Sequence, residues 1–238
     1  MKKSALVLLF ILLLTACSPQ ASSLPTLRIA VSPAAQPISE AMANCAPINT
    51  ETGLSIEMSY PNTVDFAKFD LLVRLGEPAQ EPLFAAQLAW ENIILIVNPG
   101  NDVEISREIA ASLFSGRVQN WSELGGEDVA VTLLAGPESD EARQAFEQSV
   151  LLGSISGGTR VATNPTAALE AVGNNPGALA ILPAAWADET VRQIDFSVQV
   201  PVIAAAASEP TGAIQDMLAC LQGPIGQAVI SNQYVPFQ

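Results

Sequence analysis

The sequence predicts an α/β protein behind an export signal, with strands and helices alternating along the chain so that βαβ units build a mainly parallel sheet. Three observations predict it. Short β-branched apolar runs recur along the chain, and segments with helical spacing of apolar residues fall between them. Capping residues stand before several of those helical segments. The chain of 238 residues is 49% apolar, enough to bury a large core as one domain or as two lobes of about 100 residues each.

Residues 1–16 read as a cleaved signal peptide. Lys2 and Lys3 supply a basic start, and Ala5–Leu14 is an uninterrupted apolar run of ten residues. A bilayer span needs about 20, so the run suits secretion instead. Leu14-Thr15-Ala16-Cys17 resembles a bacterial lipobox, in which small residues precede a cysteine that is lipidated and becomes the new N-terminus. The alternative is ordinary cleavage after Ala16 with a free Cys17. The expected location is extracytoplasmic, with a lipid anchor at Cys17 holding the protein to the periplasmic or outer face of a membrane.

Residues 17–26 form a small, polar, proline-punctuated tether. Leu27–Val31 alternates and is a strand, broken by Ser32–Pro37, after which Ile38–Cys45 is helical. Leu54–Tyr60 alternates again, with Leu54, Ile56 and Met58 on one face, and Phe69–Leu75 is a further strand. Trp90–Val97 reads as a buried strand stopped by Asn98-Pro99-Gly100. Ser106 caps a helix to Ser115, whose Ile109 and Leu113 share a face four residues apart. Val129–Ala135 is a strand. Ser139 is placed to cap the next helix, where Ala142, Ala145, Phe146 and Val150 recur at helical spacing. Ala167–Val172 is helical, Ala178–Leu182 and Val198–Ala206 are strands, Thr211–Leu221 is a helix, and Gly226–Asn232 is a last helical stretch.

Composition excludes several functions. Without residues 1–16, eight basic residues face 24 acidic ones, a net charge of −16, and Lys68 is the only lysine. Nucleic-acid binding rests largely on Lys and Arg neutralising phosphates, so no nucleic-acid partner is expected. The chain has no histidine, which removes the usual general base, the Ser–His and Cys–His nucleophile pairs and imidazole metal ligands. Once Cys17 is set aside, Cys45 and Cys220 are too few for a thiolate zinc site, so no metal and no cofactor are expected. Outside the cytosol these two cysteines either pair as a disulfide, closing most of the chain into one loop, or remain free. Asp140 and Glu141 adjoin at one helix start and cannot straddle a scissile bond as separated acid and base groups do, so no enzymatic activity is expected.

Several stretches resemble, in order, the phosphate-type (PstS-like) solute-binding proteins of ABC importers. They are Asn92–Pro99 (NIILIVNP), Leu113–Gly126 (LFSGRVQNWSELGG), Asn174–Ile181 (NNPGALAI), and the closing Gly226-Gln227-Ala228 with Tyr234-Val235-Pro236. The resemblance covers most of the chain. It implies a two-lobed, periplasmic-binding-protein-like fold of type II, with a small-molecule ligand in the cleft between lobes and a membrane permease as partner. A monomer is expected. It places lobe 1 at 27–97 plus 184–238 and lobe 2 at 98–183, with Trp90–Asn98 and Ala180–Ala185 as the crossovers. Phe114 and Trp121 read as core residues of lobe 2 rather than ligand contacts, and Gly116 as a helix C-terminal turn.

Ligands of open α/β sheets gather at the carboxyl ends of strands, near backbone N–H groups. Three loops qualify. In the first, Ser32 offers a hydroxyl while Ala34 and Ala35 offer only backbone N–H groups; otherwise the loop is a plain helix entry. In the second, Asp70 matches the family aspartate that accepts a ligand proton. Arg74 is either a fork for an oxyanion or a surface arginine. In the third, the family's Ser-Gly-Thr-Arg is replaced by Asp140-Glu141-Ala142-Arg143, after Ser139. Two carboxylates there disfavour phosphate, because unit charges 4 Å apart repel by about 4 kcal/mol at an effective dielectric near 20, roughly a thousandfold in affinity. Arg143 serves an anion or pairs with Glu147 one turn on. Asn164 and Thr166 lie in a polar loop that lines the cleft in this fold, Asn164 being otherwise a helix cap. The expected function is an extracytoplasmic, lipid-anchored solute-binding protein of an ABC-type importer that resembles the phosphate/oxyanion-binding family. The ligand is left open: a neutral or cationic one held by Asp70, Asp140 and Glu141, or none, the site having lost its ligand and kept the fold. The alternative is a sensory or scaffold lipoprotein with a degenerate cleft that binds protein partners.

Overall fold

The computed structural model describes residues 25–46, 52–77 and 84–237. The expected signal peptide, Cys17 and most of the tether lie outside the described residues. Among these residues no helix is long and apolar enough to cross a membrane.

Three parallel strands open the sheet. β1 (Thr26–Val31) has β2 (Gly53–Met58) on one side and β3 (Leu71–Leu75) on the other, in registers Leu27↔Leu54 and Ile29↔Leu71. A 3-10 segment, Pro33–Ile38, and α1 (Ser39–Cys45) follow β1. Ile38, Ala41, Met42 and Cys45 recur at helical spacing and are all buried, which fixes the face this segment turns to the sheet.

Two long antiparallel strands, β4 (Phe84–Val97) and β8 (Arg192–Ala206), run through both halves of the molecule. β8 pairs with β3 on one flank. β4 pairs on the other with β7 (Ala178–Pro183), beside which lie β5 (Thr132–Ala135) and β6 (Arg160–Val161), all parallel to one another. The order is β2-β1-β3-β8-β4-β7-β5-β6, with β9 (Val235–Pro236) on the early part of β4. This is the two-lobed α/β architecture, its half-sheets joined through β4 and β8. The ladder slips between Ile93 and Ile94, where β8 carries extra residues and Ser197 sits at φ 56°. Such a bulge bends the pair and re-aims it at the boundary between halves.

One crossover differs from the sequence expectation. Ala180–Ala185 falls mostly in β7, inside the second half, and the return to the first half is made by β8. The second half therefore extends beyond 183. The sequence reading begins this strand only at Val198, after the positive-φ Ser197, whereas β8 starts at Arg192.

The helices cover the half-sheets: α2 (Arg107–Phe114), α3 (Glu141–Phe146, continued by a π turn at Glu147–Leu151), α4 (Pro165–Gly173), α5 (Ala213–Gln222) and α6 (Pro224–Ile230). Ser106 caps α2 as expected, accepting from the Ile109 N–H. At α3 the cap is Asp140, whose carboxylate accepts from the Arg143 N–H at 2.9 Å; Ser139 lies one residue too early. Phe114, Trp121 and Phe146 are fully buried, with the Phe146 ring between Phe114 and Phe196 at 5.6 and 5.9 Å. The Trp121 indole donates to the Gly177 carbonyl at 3.0 Å. Gly177 has to be glycine, since a Cβ there would come within 2.2 Å of the Ala130 carbonyl oxygen. Cys45 of α1 and Cys220 of α5 form a disulfide, Cα–Cα 5.8 Å, across 175 residues of sequence.

Candidate functional site

The parallel strands of each half end at the boundary between halves, so their carboxyl ends face each other. From the first half come Ser32 after β1, Ser59 and Tyr60 after β2, and Leu75 at the end of β3. From the second come Gly136 after β5, Thr163 and Asn164 after β6, and Ala184–Trp186 after β7. This convergence follows from strand direction alone.

At its centre the two halves touch. The Glu141 carboxylate, at the start of α3, lies 3.0 Å from the Arg74 guanidinium and accepts the Leu75 N–H at 3.1 Å. Burial pushes its pKa up to about 7, against the Ser32 hydroxyl, Arg74 and the Leu75 N–H, which pull it down; the neighbouring Asp140 charge raises it. Asp140 is raised as well, chiefly by burial, while the Arg143 and Ala142 N–H groups and the Arg143 charge oppose that rise. Around Tyr60, Gly136, Asp140, Asn164 and Pro183 only about 10 Å³ is left, room for about one water.

Outside this contact a groove of about 750 Å³ remains at the mouth, lined by Pro33, Gln36, Met58, Ser59, Tyr60, Thr163–Ala167, Glu170 and Trp186. The Trp186 indole bridges the halves by donating to the Ala34 carbonyl at 3.0 Å.

The residues singled out from the sequence fall into three groups. Ser32, Ala34, Arg74, Asp140, Asn164 and Thr166 are brought to the boundary between halves, and Asn164 also caps α4 through the Ala167 N–H at 2.9 Å. Ala35 lies beside them, but its N–H is spent on Ser32, at 3.0 Å to the carbonyl and 3.3 Å to the hydroxyl, so it is not a free donor. Ser139 sits in the turn before α3, half-buried. Arg143 takes its local role, 3.1 Å from Glu147 and 3.2 Å from the Gly136 carbonyl.

Asp70 requires correction. It precedes β3, next to Arg28 on the parallel β1, and its carboxylate takes the Arg28 N–H at 2.8 Å and the guanidinium at 3.1 Å. That is the amino edge of these strands, opposite the cleft. Burial raises its pKa, but the hydrogen bonds and charge of Arg28 outweigh this and hold it below the usual value.

Three participants were not singled out from the sequence. Tyr60 and Trp186 end up at the mouth because each follows a strand's carboxyl end, a signal available from strand direction. Glu91 is an acid inside the apolar run of β4, 1% exposed. Burial pushes its pKa up to about 8 against the N–H groups of Ala185, Asn92 and Ala184, and its Oε2 has no hydrogen-bond partner.

Among the described residues, no group of three or more His, Cys, Asp or Glu side chains is placed to hold a metal.

A half-sheet pair joined by two long strands, with carboxyl ends facing across a boundary, defines a two-lobed binding-protein fold. A family profile described as PBP superfamily domain matches residues 18–217, and the chain belongs to that superfamily. Among curated proteins it is similar to the phosphate-binding protein PstS of Bacillus subtilis (strain 168), 32% identical over 99 residues, which is 40% of this chain and 32% of that protein. The chain thus matches about a third of the length of that relative. Among solved structures it is similar to a phosphate ABC transporter substrate-binding protein with bound phosphate from Clostridium perfringens. There the TM-score is 0.82 at 17% identity, over 90% of this chain and 100% of that one. An ABC-type phosphate transport receptor from Vibrio cholerae follows at TM-score 0.67 and 18% identity, over 87% and 99%. Reduced OxyR from N. meningitidis shares the fold too, at TM-score 0.58 and 17% identity, over 85% and 95%.

Proposed function

We propose that the chain is an extracytoplasmic solute-binding protein, held to a membrane through a lipid on Cys17, that delivers a neutral or cationic small molecule to the permease of an ABC-type importer. It acts as a monomer and catalyses no reaction. The observation that carries this reading is the groove between the facing carboxyl ends, whose size falls within the range of roughly 300–1,000 Å³ usual for small-molecule sites. Its lining combines the rings of Tyr60 and Trp186 with the polar groups of Gln36, Asn164 and Thr166. Among the described residues that line it, Glu170 is the one carboxylate and there is no arginine or lysine. Among the described lining residues a phosphate finds no cation, and deeper in it meets Asp140 and an Arg74 already paired with Glu141. The two lobes are the half-sheets, with the hinge in the β4–β8 pair near Ile93. Native mass spectrometry of unwashed mature protein, followed by titration with oxyanions, polyols, amines and amino acids, tests the reading. Saturable binding of a neutral or cationic compound is expected. Tight phosphate binding, or silence across the panel, overturns it.

A second reading is favoured by one observation: Glu141 already fills the place between Arg74 and Leu75. In that reading the cleft is degenerate and the protein is a sensory or scaffold lipoprotein that binds protein partners. Met58, 66% exposed on the rim of the groove, would then face a partner. Crosslinking in cells separates the two: a permease supports import, and a kinase or secretion component supports the second.

A further inference from the structure

Glu141 makes the contacts that a bound oxyanion would make. Its Oε1 lies 3.0 Å from Arg74 Nε and accepts the Leu75 N–H at 3.1 Å, while the Ser32 hydroxyl acts on the same carboxylate. The Leu75 N–H donor, the Arg74 guanidinium (whose Nε–H donates to the Leu75 carbonyl at 3.2 Å while its charge pairs with Glu141) and Ser32 all belong to the first half, and the carboxylate belongs to the second. The two charged side chains are only 14% and 4% exposed, so this is a desolvated pair and not a surface one. We propose that Glu141 is a tethered ligand: a carboxylate of the second half, seated in an oxyanion site built by Ser32, Arg74 and Leu75 of the first, that holds the halves together with no solute between them.

A second observation points the same way. Glu141 Oε2 is buried without a hydrogen-bond partner. The carboxylate is thus held through Oε1 alone, by the Leu75 N–H and the Arg74 charge, and the place is occupied from within the chain while Glu141 is present. This inference concerns closure at the centre of the boundary and does not rest on a solute in the groove outside it.

The test uses the mature protein with its disulfide intact. In Glu141→Gly the melting temperature is expected to fall by about 10 °C, because one partner of a buried pair is removed. Small-angle scattering should show a larger radius of gyration. Formate and acetate should reverse both changes in a saturable manner, in excess of chloride at equal ionic strength, and adding Arg74→Gln should abolish the recovery. Wild type should respond to none of these salts beyond chloride. A glycine variant that stays closed in chloride alone, or recovers no better in formate, overturns the inference. If that variant does not fold, scattering from solute-free wild type decides. Open halves overturn the inference, and closed halves unchanged by formate or phosphate support it. Binding of a solute in the groove is read separately, so the transport reading and this one can fail independently.

Discussion

The Trp186 indole N–H and the Ala34 carbonyl, 152 residues apart in sequence, meet at 3.0 Å and join the loop after β7 to the loop after β1. Both loops lie at carboxyl ends of strands, and Trp186 also lines the groove. The ring is therefore a reporter placed where a solute would enter. Trp121, by contrast, is buried in the second half.

The first prediction concerns that reporter. A solute entering the groove shifts the intrinsic fluorescence of wild type, and Trp186→Phe loses most of the shift. The phenyl ring keeps the packing but leaves the Ala34 carbonyl without its donor, at a cost of about 1 kcal/mol in unfolding stability. A full-sized shift in the Phe variant would place the solute elsewhere.

Stability should rise as pH falls from 8 to 5. Glu91 and Glu141 have folded-state pKa values raised to about 8 and about 7, chiefly by burial, from an ordinary glutamate value of 4.5. Between the ordinary carboxylate value and these raised values the folded state binds more protons than the unfolded one, so unfolding free energy decreases with rising pH. The net negative charge adds repulsion in the same direction. Thermal melts across this range check the sign. Glu91→Gln, which cannot titrate, should flatten the curve between pH 5 and 8.

Asp70→Asn should leave solute binding unchanged. The carboxylate faces Arg28 at the amino edge of the strands, where the two side chains are 28% and 44% exposed. Exposed pairs of this kind contribute little, so its effect on stability should be smaller than that of any change at Arg74 or Glu141. A large loss of affinity in a direct titration would return Asp70 to the site.

Replacing Cys220 by Ser should lower stability by roughly 3–5 kcal/mol, since the bridge between Cys45 and Cys220 closes a loop of 175 residues. In a chain of this size that corresponds to a melting temperature about 10 °C lower. Denaturant unfolding with and without reductant gives the same comparison on wild type. An unchanged midpoint would mean the linked helices are held by packing alone.

Strand direction and helix capping were legible locally. Ser106 caps α2 and Asn164 caps α4 because a short polar side chain before an apolar stripe can satisfy a free N–H whatever the rest of the fold does. The replacement of the family's Ser-Gly-Thr-Arg by Asp140-Glu141-Ala142-Arg143 is equally legible in the residues themselves. The placement of Ser139 failed at the same loop, since Asp140 is the stronger neighbour for the same N–H.

What the sequence determines by itself is the alternation of strands and helices, the apolar residues of the core such as Phe114, Trp121 and Phe146, and the acidic character of the third loop. Each depends on local periodicity or on residue chemistry, which neighbours in the chain define; the division into two halves comes with the family resemblance. Only the tertiary structure decided that Asp70 lies at the wrong end of its strand pair, that β8 and not Ala180–Ala185 carries the chain back, and that Glu141 reaches across to Arg74. Those facts rest on contacts between residues tens of positions apart, Arg28 with Asp70 and Arg74 with Glu141, and on the register of the β4–β8 ladder. Neither a contact nor a register is encoded by spacing along the chain; both arise when the half-sheets are brought face to face.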